Sequence, residues 1–132
     1  MDNQIYDLVN NRIYIRGFND SIKNMEYVKI LKYPNVFDTL YTISESGKVY
    51  SMMNDSYLEW GIRNRFPYVN LTCKRDNIIS IEPFYIKDLV AYNYIANADS
   101  YLERRYKVIN IDGNPMNNNY QNIMYIHTEE EI

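Results

Sequence analysis

The residues with the most chemistry in this chain lie between Val108 and Ile123, where Asn110, Asp112, Asn114, Asn117, Asn118 and Asn122 gather around Gly113. Asp112 is the one carboxylate in that run, and a carboxylate oxygen suits a hard divalent cation. An Asp-Gly pair between two strand-like runs is equally a way to make a tight turn. The surrounding amides donate and accept hydrogen bonds but cannot take up a proton near neutral pH. His127 is the only histidine and sits at the end of a strand-like run, the position of a surface residue rather than a catalyst. The single Cys73 can form neither an internal disulfide nor a thiolate zinc site. Ser44 and Ser46 lack a nucleophile elbow, and Gly47 and Gly113 are isolated turn glycines rather than a phosphate-cradling loop.

The run from Val108 to Ile123 resembles the metal-site segment of HNH homing endonucleases. That pattern is roughly Asn/Asp-His-Ile-Asp-Gly-Asn, a pair of asparagines, Asn-Leu and, about nine residues on, a second metal ligand before a short helix. Asp112, Gly113, Asn114, Asn117, Asn118 and Asn122 match it, whereas Ile109 stands at the first ligand position and Asn110 at the histidine. The second ligand position falls on Glu131, next to Ile132, so the helix of a ββα-metal finger is expected to be absent or a stub. Three further blocks follow the same family in order. Tyr33-Pro34-Asn35 and the stretch Tyr41 to Ser51 resemble the small domain that precedes HNH units, and Pro67 to Leu71 matches its Gly-Tyr-x-x-Val-x-Leu. Ile86 to Ala91 with Tyr94-Ile95 matches Val-His-Arg-Leu-Val-Ala and Phe-Ile, with Lys87 in place of another histidine. Together the blocks cover about Glu26 to Ile126.

In that family the histidine is the general base for water and a divalent cation polarises the phosphate. Asn110 offers no basic lone pair and Ile109 no oxygen, so the resemblance implies a catalytically degenerate unit with no catalytic residue, its degenerate positions being Asn110, Asn122 and Glu131. Asp112 is the weak candidate for a metal, and no cofactor is expected. A residual nuclease would have to draw on Asp112, Asn122, His127 or Glu131 in a rearranged site.

The elements that must position these residues follow from periodicity. Ile13 to Ile15, Tyr27 to Ile30, Tyr41 to Ile43 and Lys48 to Ser51 are strand-like, the last two joined through Gly47, with a turn at Tyr33 to Asn35. Ser21 to Tyr27 reads as a turn or short helix. Tyr68 to Thr72 and Ile78 to Ile81 make a hairpin around Lys74 to Asn77. Ile86, Leu89, Val90, Tyr94 and Ile95 recur at helical spacing and predict one amphipathic helix over about Ile86 to Ala96. Asn97 to Ser100 breaks it, and Tyr106 to Ile111 and Ile123 to Ile126 are antiparallel mates across Asp112-Gly113. The expected class is α+β: a small antiparallel sheet with one helix, followed by a truncated ββα-metal finger. The expected division is an N-terminal extension over 1–25, a β-rich domain over 26–82 resembling the HNH-associated domain, and a degenerate HNH-like unit over 83–132.

At 132 residues the chain is one domain, or two very small ones sharing a core. No apolar window is long enough to span a bilayer, and the start lacks a secretory signal, so a soluble protein of a reducing compartment is expected, in a host cytoplasm or a virion. The 15 tyrosines read mainly as core and half-buried sheet residues, with a base-stacking surface as the minor reading. The net charge of −3 is awkward for a nucleic-acid binder, because phosphate affinity comes from clustered cations. Basic residues nevertheless gather at Arg63 and Arg65, at Lys74 and Arg75, at Lys87, and at Arg104, Arg105 and Lys107, all candidates for phosphate. The acidic tail Glu129, Glu130 and Glu131 is the candidate protein-binding surface, a mimic of backbone phosphates. The expectation is a phage or mobile-element protein that acts by binding, inclined toward a host protein partner that it inhibits, with DNA or RNA as the other ligand. A structural subunit of a virion or ribonucleoprotein is the third reading. Oligomeric state is left open.

Overall fold

The structure is a computed structural model; it describes residues 26–96, 98, 101 and 106–128 in full, and 4–7 and 12–15 by their backbone. All pairing among the described strands is antiparallel. A six-stranded meander runs in chain order through β1 (Gln4–Asp7), β2 (Arg12–Ile15), β3 (Glu26–Ile30), β4 (Tyr41–Ser44), β5 (Val49–Ser51) and β6 (Ser56–Tyr57). A second sheet has the order β7 (Gly61–Arg63), β8 (Phe66–Arg75), β9 (Ile78–Tyr85). Helix α1 (Ile86–Tyr94) follows directly, and β10 (Tyr106–Asn110) then pairs with β11 (Ile123–His127). This is the α+β class expected from the periodicity, antiparallel strands with the helix at Ile86; Ala98 and Tyr101 are also helical, among neighbours outside the described residues. The expected turn or short helix at Ser21 falls largely outside the described residues, and of the expected break at Asn97 to Ser100 only Ala98 is described, in helical conformation.

Two hairpins owe their geometry to residues that tolerate positive φ. Asp76 and Asn77 sit at 50° and 67°, Asn64 and Arg65 at 53° and 78°. Both central residues left-handed is the turn whose twist matches a two-residue hairpin. The first carries the long β8–β9 ladder, in which Tyr68 faces Tyr85 and Arg75 faces Ile78.

Helix α1 is where the sheets meet. Ile86, Leu89, Val90 and Ala91 are buried on one face, and they join Leu31, Ile43, Val69, Leu71, Val108 and Ile123 in one hydrophobic core. That core takes residues from both sides of position 83, which itself lies within β9. The helix ends at Tyr94, two residues before the expected Ala96, with Ile95 already extended and its N–H on Ala91 O. Asn93 ties the helix to the end of β3: its amide donates to Lys32 O at 3.0 Å and accepts from Lys32 N at 2.9 Å. The β4–β5 turn presses so close that a Cβ on Gly47 would lie 2.6 Å from Ile86 Cγ2. Glu45 O also accepts from Tyr120 N, so the same turn is fastened to the β10–β11 loop. Among the described residues no helix is long and apolar enough to cross a membrane.

Candidate functional site

The loop between β10 and β11 is held by its own amides. Asn122, in a single 3-10 turn (Tyr120–Asn122), accepts from Asp112 N at 3.1 Å and donates through Nδ2 to Asn117 O and to Asp112 Oδ1, each at 2.9 Å. Asp112 Oδ1 also accepts from Asn114 N at 2.8 Å, and Oδ2 from Asn117 Nδ2 at 2.9 Å. The Asn117 amide, then the Asn114 N–H and the Asn122 amide, hold the Asp112 carboxyl below its ordinary value. Gly113 turns the chain at φ +78°, and its N–H returns to Asn110 O.

Asn110, at the position where the resemblance places a general base, points inward and is 8% exposed. Its Nδ2 donates to Asn117 O and Asn118 Oδ1, both at 2.9 Å, while its buried Oδ1 has no partner among the described residues. Ile109 alternates to the other face, opposite Met124. A divalent cation fits this set poorly. Ile109 brings no oxygen, Asp112 already accepts from amides on both oxygens, and among the described residues no three His, Cys, Asp or Glu side chains converge. Glu131, like Glu129, Glu130, Arg104 and Arg105, lies outside the described residues. His127 is exposed, edge-on to Tyr106 with centroids 5.2 Å apart.

The remaining basic candidates divide by strand alternation. In the continuous β7–β8–β9 register, Arg63, Phe66, Tyr68, Lys74, Ile79, Ile81 and Tyr85 share the outer face. Val69, Leu71 and Cys73 take the inner face toward the core. The Arg63 guanidinium lies 5.2 Å from the Tyr68 ring centroid, and Lys87 Nζ lies 3.5 Å from that of Phe66. Burial lowers the Lys87 pKa, Asp88 opposes that, and Lys107 adds to it. Arg65 is exposed in the β7–β8 turn. Arg75 differs from the others: its register puts it on the opposite face, where it forms a two-point ion pair with Glu82, Nη2 to Oε1 at 2.8 Å and Nε to Oε2 at 3.1 Å. Thus Arg63 and Lys87 stand over aromatic rings, Lys74 lies farther along the same face opposite Ile79, and Arg75 is on the other face.

Sequence reading overlooked the β7–β8 hairpin, whose signal was Asn64 before a second polar residue. It also overlooked Asp88, a polar residue of α1 that the helical spacing leaves off the apolar stripe. Asp88 is partly buried, and burial pushes its carboxyl up to about 6, with Lys87 pulling the other way. Tyr33 is raised by burial and then by Asp88.

No protein-family model matches the sequence, and a search of curated proteins finds no match. Among solved structures the fold is similar to the HNH homing endonuclease I-HmuI, a protein that binds and cleaves DNA, with a TM-score of 0.58 and 23% identity. The match covers 76% of this chain and 52% of that one, so the chain spans about half that protein's length. The fold is therefore HNH-endonuclease-like.

Proposed function

We propose that this chain is a nucleic-acid-binding protein built on an HNH-endonuclease-like fold and no longer able to cleave, its strand running over the outer face of β7–β9. One observation carries the reading: the Arg63 and Lys87 cations lie over the Tyr68 and Phe66 rings on that face, beside Tyr85, with Lys74 farther along it. Cations interleaved with rings supply both halves of single-strand binding, phosphate attraction and base stacking. Residues 83–132 are read as the degenerate HNH-like unit, their hairpin as the remnant of a ββα-metal finger, and 26–82 as its associated domain. The absence of cleavage rests on Asn110, a neutral amide whose donor is engaged by the loop.

Binding is tested by fluorescence anisotropy with labelled single-stranded and duplex oligonucleotides between about 50 and about 200 mM salt. The double substitution Arg63→Ser and Lys74→Ser should weaken binding and lower the salt slope by about one per phosphate contact removed. Affinity indifferent to salt and to those changes would overturn the interface. A partner captured only through Glu129, Glu130 and Glu131 would do so too, and would restore the inhibitor reading. No cleavage should occur with Mg²⁺ or Mn²⁺, and Asn110→His alone should not create it, because Ile109 still provides no ligand. Metal-dependent cleavage by the native chain that is lost on Asp112→Ala would defeat the non-cleaving reading.

A further inference from the structure

A cavity of about 340 Å³ opens between the start of α1 and the β10–β11 hairpin, within the usual size of a small-ligand site. Its walls join the outer face of β7–β9 through Tyr85 and Lys87. Three features of the cavity bear on what it can hold. Tyr101 and Tyr125 lie in a stacked pair, centroids 4.4 Å apart, with Tyr106 edge-on to Tyr101 at 4.9 Å, so aromatic surface lines one side. Asp88 opens into the same space, and among the described residues no hydrogen-bond donor or ion-pair partner reaches its carboxylate. Lys87 and Lys107 also line it, close enough that Lys107 lowers the pKa of Lys87. Such a pair of like charges favours an anion between them.

A ligand that engages all three must be flat, must present N–H donors to a carboxylate, and must carry an anionic group. A nucleotide has that form, and its base can be chosen by donor count. Guanine alone places two N–H groups side by side, N1–H and the 2-amino group, as a carboxylate accepts in two parallel bonds. Adenine and cytosine set an acceptor nitrogen next to their amino group, and thymine flanks its one N–H with carbonyls; each would aim a lone pair at Asp88. Bases unstacked from a strand are commonly read in this way, on aromatic rings and by their pairing edge.

We propose that this cavity receives a guanine nucleotide, the base against Tyr101 and Tyr125 with its two adjacent N–H groups on Asp88, and the phosphate between Lys87 and Lys107. The site rests on the nucleic-acid reading above when the nucleotide is an unpaired residue of a bound strand, and stands without it when the nucleotide is free.

The test separates the two. Labelled oligothymidylate bearing one central guanine, adenine, cytosine or inosine is titrated against the native chain, and free guanosine monophosphate and guanosine are titrated by NMR. The guanine strand should bind about tenfold more tightly than the adenine strand, with inosine, which lacks the 2-amino group, in between. Asp88→Asn, an isosteric change, should bring the guanine-to-adenine ratio near one. Free guanosine monophosphate should bind more tightly than guanosine, and Lys107→Ala should remove that difference. Strands that bind with no preference for guanine would overturn the pocket and leave the sheet interface standing. Binding of the free nucleotide, sensitive to Asp88→Asn, without binding of any strand would keep the pocket and overturn the interface. Failure of both strands and free nucleotide would overturn both.

Discussion

The β10–β11 loop and the Asp88 cavity are both polar, yet they handle their polar groups in opposite ways. In the loop, the Asp112 carboxylate accepts from Asn114, Asn117 and Asn122, and Asn122 in turn closes on Asp112 N and Asn117 O. Apart from Asn110 Oδ1 at its base, its hydrogen-bonding capacity is turned on itself, which fixes a shape. In the cavity, Asp88 has no donor among the described residues, and Lys87 and Lys107 line the same space. Burial without compensation is destabilising and persists where something else gains from it. The segment with the most family-like sequence is therefore the less available for chemistry, and the more available site lies where the motif said nothing.

The largest expected effect falls on the self-satisfied side. Asn122→Ala removes the acceptor for Asp112 N and the donor to Asn117 O and Asp112 Oδ1 together, leaving water to replace them in a loop that is partly exposed. It should cost on the order of 1–3 kcal/mol in denaturant melts and raise amide exchange from Asp112 to Asn119. Unchanged melts and exchange would break the comparison, because the loop would then not depend on its clasp.

How much of this was legible differs between the two regions for a physical reason. Strands with alternating burial, the helix face of Ile86, Leu89 and Val90, and the turn glycines Gly47 and Gly113 all leave local periodic or conformational signals, and these elements are present, with β8 and β9 longer and α1 shorter than expected. Asn122, matched as part of the motif, bonds backbone across its loop. The Asp88 cavity was not legible, because Tyr101, Tyr106 and Tyr125 meet Asp88 only through the packing of α1 on the hairpin. The split of Lys74 from Arg75 depended on register. A one-residue step sends neighbouring cations to opposite faces, and the pairing had to be known before the faces could be assigned.

The second effect sits in the cavity and has the opposite sign. Since the Asp88 pKa rises from 3.8 to about 6, the folded state holds its proton more tightly than the unfolded chain does. Stability from this group is thus greatest below pH 3.8 and declines as pH rises toward about 6, beyond which the charged carboxylate is a constant burden. Asp88→Asn should therefore stabilise the protein at pH 7 by about 1–2 kcal/mol, less than the full shift because the carboxylate is partly open to solvent. The gain should vanish at acid pH. A destabilised variant at pH 7 would mean that Asp88 is satisfied in solution, and the contrast with the loop would fail.

The smallest effect returns to the loop and isolates backbone from side chain. Nothing lies within 4 Å of the place where a Cβ on Gly113 would stand, so Gly113→Ala meets no steric obstacle and only the φ of +78° opposes it. A non-glycine residue held left-handed costs about 1 kcal/mol, and the variant should melt lower by that amount with the Asp112 to Asn122 bonds intact. Gly113→Asn, a residue that tolerates this region, should recover part of the loss. An alanine variant with native stability, or an asparagine variant worse than alanine, would show that the turn relaxes to negative φ, and the clasp rather than the turn residue would then be what sets the loop's shape.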